Sequence, residues 1–442
     1  MLKRMRSFLV LVMLFIAVTM SAQVTTATMS GKVTAQDEPI IGATIVAVHE
    51  PSGTRYGTVT NVSGQFNLQG MRTGGPYKVE ISYVGYQTAI YKGINLLLGE
   101  NYVLNVSLKE SSELLDEVVV TASKESNMKS DRAGAIMNAN RDMISNTPTI
   151  SRSISDIMRL SPQGADVGNG FAVGGGNYRQ SFVTVDGAAF NNTFGLGGNL
   201  PANGSPISLD ALEQVTVAVT PFDVRQSGFT GGAINAVTRS GDNQFRGTAY
   251  MYFNNENLKG SKVDDYELLR SKAQYYTYGA SFGGPIIKDK LFFFVNGEYE
   301  DNVTAGSSYR PRTALGESYS GGNVHRPLQS DMDDIRSFLL KKYDFDPGKY
   351  NGYSTDTPAY RIMARVDWNA NQDNKVSFRF TRTHTKDSNF PTSSTNPLYS
   401  SDLYPGGKSN EVIDGKPVGD IAKGQGRTSK YALSFSNSNY YQ

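Results

Sequence analysis

No cysteine occurs among the 442 residues. That absence removes disulfides, thiolate metal ligands, cysteine nucleophiles and a lipid-modified cysteine together. Histidine is nearly as scarce. His49, His325 and His384 stand far apart in the chain, so neighbouring residues assemble no acid/base or metal constellation. Bulk charge of one sign is also missing: 43 Lys and Arg against 41 Asp and Glu leave a formal +2. With no dense basic run beyond the N-terminus, no nucleic-acid partner is expected. After the first residues there is no apolar run near the roughly 20 residues a helical span needs, so any membrane passage must use strands.

What is present is β-rich. The chain is 39% hydrophobic, too apolar for a wholly disordered protein and long enough for several folded units. Its 45 Gly, 25 Tyr and 21 Phe suit many strands and turns. At the start, Lys3, Arg4 and Arg6 precede an apolar run from Phe8 to Met20 that ends in Ser21-Ala22, which reads as a secretory signal over 1–22, cleaved before Gln23. From Thr28 to Leu108, strand-length alternating pieces are separated by turns such as Pro51-Ser52-Gly53 and Val62-Ser63-Gly64, and predict a small β-sandwich within 23–110.

Beyond it, "DEVVVTAS", Asp116 to Ser123, carries a β-branched core with no hairpin turn on either side, inside a segment taken as 111–130. The following "SNMKSDRAGAIMNANRDMISNTP" reads as a polar linker into a mixed α+β unit over 131–243. In that unit Ser153 and Asp156 form a capping pair for a helix with Ile154, Ile157 and Met158 on one face, stopped at Ser161-Pro162. A strand runs into Asp186-Gly187, "SLDALEQ" reads as a short helix, and "VTVAVT" as a strand.

From Gln244 the period is two over long stretches. "AYRIMARVDW" sets Tyr360, Ile362, Ala364, Val366 and Trp368 on one face and Arg361, Met363, Arg365 and Asp367 on the other. One face suits lipid and the other water, so Arg should be far better tolerated at Met363 than at Ile362. Tight connections alternate with long ones, and about six such strands are expected over 244–442: Gln244–Phe253, Gln274–Gly283, Leu291–Asn302, Tyr360–Trp368, Lys375–Lys386 and Ser429–Tyr441. Six are too few to close a barrel, so the chain is expected to be part of a longer protein or a truncated product.

Other motifs carry less. "VGNGFAVGGGNYRQ" matches neither GxGxxG nor a Walker loop. The acids Asp331, Asp333, Asp334, Asp344 and Asp346 lack calcium-loop spacing, and read instead as a loop helix with an acidic N-terminus. No metal or cofactor is expected.

Two sets of motifs carry family resemblances. Gly31-x-Val33, Pro39-Ile40-Ile41-Gly42-Ala43, Thr60-x-x-x-Gly64-x-Phe66 and Ser82-Tyr83-Val84-Gly85-Tyr86 resemble the carboxypeptidase regulatory-like domain, which brings no catalytic residues with it. The stretch Ile207 to Leu258 closely resembles the end of the plug and first barrel strand of TonB-dependent receptors, in particular the Oar-like branch of Bacteroidetes. "VTVDG" at Val183 to Gly187 and "GGPIIKDKLFFFVNGEYE" at Gly283 to Glu300 are similar to further parts of that family.

The resemblance implies a mainly β protein. Its parts would be an Ig-like sandwich, an α+β plug and the first strands of an antiparallel transmembrane barrel, in the outer membrane of a Gram-negative cell. It implies nutrient uptake, no catalysis, and three partners: the energy-coupling protein TonB, outer-membrane lipid and an unidentified extracellular ligand. Asp116, Glu117, Val118, Val119, Val120 and Thr121 look like the TonB box, which TonB takes up as an added strand. The alternative for the same residues is a last strand of the preceding sandwich. Ligand contacts in this family come from plug apices and outer loops, with Phe190, Asn191, Asn192 and Phe194 as the guesses here. The rival function is a structural or adhesive surface protein that transports nothing.

Overall fold

The structure is a computed structural model. It describes residues 25–110, 118–121, 136–149, 152–167, 170–191, 200, 204–219, 229–258, 260, 262–263, 266–267, 272–305, 310–317, 324–351, 353–371, 374–387, 412–413, 416–417 and 440–441. The expected signal over 1–22 lies outside them. Chain contacts divide the molecule into two compact units, one of residues 1–249, 280–297 and 361–383, the other of residues 250–279, 298–360 and 384–442.

The first unit begins with a sandwich. Its strands are β1 (Ala27–Ala35), β2 (Glu38–Pro39), β3 (Thr44–His49), β4 (Thr54–Val59), β5 (Gln65–Met71), β6 (Gly74–Ser82), β7 (Ala89–Leu96), β8 (Asn101–Val103) and β9 (Val106–Ser107). β1 pairs with β2 and β5 antiparallel and with β8 and β9 parallel. The facing sheet runs β4-β3-β6-β7. Alternation does the sorting: Ile45 and Ala47 of β3 and Val79 and Ile81 of β6 are fully buried, with Met29, Val33, Phe66 and Leu68 from the other sheet.

The motif residues of this region have structural work. A Cβ on Gly31 would lie 1.8 Å from the Leu104 carbonyl oxygen, so only glycine lets β1 pass. The Thr60 hydroxyl donates to the Ile40 carbonyl at 2.7 Å and accepts from the Ala43 amide at 2.9 Å, pinning the Pro39–Ala43 loop. His49 is buried, with Nδ1 2.7 Å from the Ser52 hydroxyl, and burial with the nearby Arg72 charge pushes it from 6.5 down to about 3.

The α+β part follows. β11 (Ile136–Asn140), β16 (Leu212–Ala218), β17 (Ala233–Thr238), β14 (Phe182–Val185) and β15 (Ala188–Ala189) form one sheet in that order, and β12 (Gly164–Asp166) and β13 (Phe171–Val173) form a small hairpin. The capped helix forms over Ile154–Met158: Ser153 Oγ accepts from the Ser155 amide, Asp156 accepts from the Ser153 amide, and Ile154, Ile157 and Met158 are buried. Two readings are corrected. The polar stretch ahead of it is no mere linker, since Ile136–Asn140 pairs with β16 and Arg141–Asn146 is helical with Asn140 as its cap. "SLDALEQ" is one short turn, Leu209–Ala211, and the strand already starts at Leu212, because pairing with Thr238 and burial outweigh local helix preference.

The long strands are β18 (Arg246–Asn255), β21 (Gln274–Ile287), β22 (Leu291–Ala305), β26 (Ala359–Asn369) and β27 (Lys375–Asp387), paired in that order. The strand expected to end at Gly283 continues to Ile287 and leaves a three-residue turn before Leu291. Of the sixth expected strand, only Tyr440–Tyr441 lies within the described residues, paired with β27. The sheet is a barrel wall that does not close among the described residues. Ile362, Trp368, Val376, Phe378 and Phe380 are exposed, while Phe292, Phe294, Arg361, Met363 and Asp367 on the opposite face are buried.

In the second unit, β25 (Ser354–Asp356) pairs with the end of β22, and the acidic loop forms a helix over Gln329–Tyr343. Asp331 lies in its first turn and Lys341 and Lys342 in its last, which complements the helix dipole at both ends. Arg336 and Asp346 pair bidentately at 2.9 and 3.0 Å and fix the turn beyond the helix.

Candidate functional site

Asp186 follows β14 with φ of 45°, and Gly187 follows with φ of 82°, so the hairpin turn forces the carboxylate out beyond the sheet. Its Oδ1 accepts from the Thr238 amide at 2.8 Å and its Oδ2 from the Thr238 hydroxyl at 2.5 Å, tying the ends of β14 and β17. Two arginines of the long strands meet the same carboxylate. Arg379 donates to Oδ2 at 2.6 Å and to the Val185 carbonyl at 2.8 Å, and Arg365 stands 3.7 Å from Oδ2 while donating to the Thr238 carbonyl at 2.9 Å.

Arg365 is held in turn by Asp367, through Nε to Oδ2 at 2.9 Å and Nη2 to Oδ1 at 3.0 Å. Asp367 also accepts from Ser377 at 2.5 Å and from Ser240, and Arg72 of the sandwich approaches it to 4.0 Å. Side-chain exposures of 11–16% for Asp367, Arg365, Asp186 and Arg379 make this a largely desolvated network, where losing one partner strands a charge.

The α+β part is held at other points too. Arg361 donates to the Ser205 carbonyl and Thr383 to the Pro206 carbonyl at 2.7 Å. Phe294 and Met363 enter its hydrophobic core beside Ile154, Val185 and Val217. The face expected to meet water therefore meets protein. Met363 is 1% exposed, which overturns the expected tolerance of Arg there.

The Asp-Gly turn and the Arg365/Asp367 face are visible in the sequence, but the partners of Asp186 are not. The pairing joins residues 179 or more positions apart, and single-strand periodicity does not carry that.

The ligand guesses divide. Asn191 is engaged within its own hairpin, its Oδ1 accepting from the Val183 amide at 2.7 Å and its Nδ2 donating to the Ser181 carbonyl at 2.8 Å. Phe190 packs partly buried against the core. Asn192 and Phe194 lie outside the described residues. Of the TonB-box-like residues, Asp116 and Glu117 lie outside them as well. Val118–Thr121 forms β10, parallel to β7 in the register Val118–Ala89, Val119–Ile90, Val120–Tyr91 and Thr121–Lys92. That is the placement of the alternative reading, a last strand on the sandwich.

No group of three or more His, Asp or Glu side chains fit to hold a metal occurs among the described residues. No described helix is long and apolar enough to cross a membrane, which says nothing of strands.

Comparison with known proteins gives two family matches, a carboxypeptidase regulatory-like domain over residues 28–109 and an outer membrane beta barrel domain over residues 237–414. The chain thus carries a region similar to a regulatory-like domain followed by one similar to an outer-membrane barrel domain. It is 28% identical over 254 residues to the TonB-dependent transporter Oar of Myxococcus xanthus, covering 56% of this chain and 22% of that protein. It is 29% identical over 269 residues to the TonB-dependent receptor SusC of Bacteroides thetaiotaomicron, covering 58% of this chain and 24% of that one. The chain thus spans about a quarter of the length of these curated relatives. Among solved structures, the siderophore receptor PirA from Acinetobacter baumannii matches with 16% identity and a TM-score of 0.37, over 57% of this chain and 32% of PirA. These relatives are transporters and receptors, and the barrel domain places the chain in the Gram-negative outer membrane.

Proposed function

We propose that this chain works as part of a TonB-dependent outer-membrane receptor that takes up a nutrient ligand, and that it is not an enzyme. The observation that carries the reading is the Asp186 network. It holds the α+β part against the inner face of an amphipathic strand sheet through Arg365 and Arg379, while the opposite face offers Ile362, Trp368, Val376 and Phe378 to lipid. In this reading residues 131–243 are the plug, residues 244–442 contribute barrel strands, and the sandwich lies on the periplasmic side.

A barrel blocked by a plug needs a device that moves the plug, and a buried ion network suits that task. It is stable only when every member is satisfied, so displacing Asp186 exposes two arginines at once and the plug shifts as a unit. Asp116 to Thr121 is the segment TonB takes hold of, since strand addition draws on main-chain hydrogen bonds and needs only an extended, β-prone peptide. Phe190, Asn192 and Phe194 remain ligand-contact proposals. Asn191 is assigned to shaping their loop.

The test is energy-dependent uptake in cells carrying the receptor. Deleting Asp116 to Ser123 should abolish uptake while leaving surface ligand binding intact. Unchanged uptake would show that this segment is not what TonB takes hold of, and surface binding with no uptake even before the deletion would support an adhesive surface protein instead.

A further inference from the structure

The five-stranded sheet β10-β7-β6-β3-β4 ends on β10, and among the described residues nothing pairs with the other side of that strand. In a parallel ladder successive residues turn their N–H and C=O groups to alternate sides, so about half of the main-chain groups of Val118–Thr121 face away from β7. Edges are protected by short length, by Pro, by charged side chains such as Lys or by a bulge. At four residues this strand is short, but "VVVT" carries no Pro and no charge, and its register on β7 runs without a shift. The strand is extended and one-sidedly satisfied, which is the condition of a template for a further strand.

Resting on the reading of Asp116 to Thr121 as the TonB-binding segment, we infer that the regulatory sandwich presents this segment rather than hiding it. TonB's strand adds to the free side of β10, giving one sheet that continues from the sandwich into the partner. Two consequences distinguish this from capture of a loose peptide. The segment is already extended, so ordering it costs less on binding. The pulling partner then grips the sandwich as well as the segment, and the sandwich touches the Asp367 end of the ion network through Arg72.

The chain has no cysteine, so an introduced pair is the only thiol pair present. Lys92 is exposed and stands opposite Thr121, so Lys92→Cys with Thr121→Cys is the pair that locks β10 to β7. The probe is the purified periplasmic C-terminal domain of TonB, titrated against the oxidised and reduced receptor and against a free peptide of residues 113–125. The disulfide should form readily, and the oxidised receptor should bind TonB at least as tightly as the reduced one, with both about tenfold tighter than the peptide. Capture by the reduced form alone would overturn presentation while leaving the TonB reading intact. Failure of the disulfide to form would overturn the pairing itself. Absence of binding by all three would sink the TonB reading and this inference together.

Discussion

The sandwich and the long-strand sheet are written in the same period of two, yet they sort their residues by opposite rules. In β3 and β6 the apolar positions face another sheet of the same domain, and Ile45 and Ile81 are fully buried. In β26 and β27 the apolar positions Ile362, Trp368, Val376, Phe378 and Phe380 are exposed, and the buried face carries Arg361, Arg365 and Asp367 alongside Met363. A shallow apolar groove lined by Leu291, Val366, Trp368, Val376 and Phe378 lies on this outer side. The difference is one of solvent. Hydrocarbon takes the place of a second sheet outside, and the α+β part of the first unit takes the place of water inside.

That comparison can be broken at its most charged point. Asp186→Ala strands Arg365 and Arg379 in a poorly hydrated place and should destabilise the protein by about 3–5 kcal/mol, read from denaturant unfolding in detergent. A loss well below that would mean water reaches the network. The two faces of β26 come next. Ile362→Arg should cost about 2–4 kcal/mol if the residue sits near the bilayer midplane. Met363→Arg should cost no less, because its methionine lies in the α+β core. Assembly yields of the two variants in outer membranes check this, and a tolerant Met363 would restore a water-filled interior.

The sandwich answers to pH through His49. His49 is depressed in the fold to about 3 from 6.5, so between those values the unfolded chain binds the extra proton. Its contribution is therefore complete above about pH 6.5 and is lost at up to about 1.4 kcal/mol per pH unit as pH falls toward 3. Urea unfolding of residues 25–110 from pH 7 to 4 measures the slope, and His49→Gln should flatten it. The smallest effect belongs to Asn61, whose Oδ1 accepts from the Ser63 and Gln65 amides at 2.9 Å each. Asn61→Ala should cost about 1 kcal/mol in the same assay.

Much of this arrangement was legible in the chain because it is local. The turns of the sandwich, the Ser153–Asp156 cap, the acidic helix of the long loop and the two faces of β26 follow from spacing and residue type alone. What was not legible depends on distant partners. Ile136–Asn140 looks polar until it is set beside β16, and Asp186 looks like a turn residue until two arginines arrive from strands far along the chain. Met363 shows the same limit in reverse, since alternation gives the side of the sheet and leaves open what lies there. Val118–Thr121 admitted two readings in sequence, and its parallel place beside β7 gives it a neighbour without assigning a task.

Lipid on one side of the long strands and packed protein on the other can be told apart directly. Single cysteines at Ile362, Met363 and Phe378, each the sole thiol of the chain, can carry nitroxide labels in the membrane-embedded protein. Collision with oxygen, enriched in lipid, and with a water-soluble nickel chelate then reports each environment. High oxygen and low nickel accessibility at Ile362 and Phe378, with low values of both at Met363, is the predicted result. Nickel access at Ile362 and Phe378 as free as at an exposed loop site would contradict it.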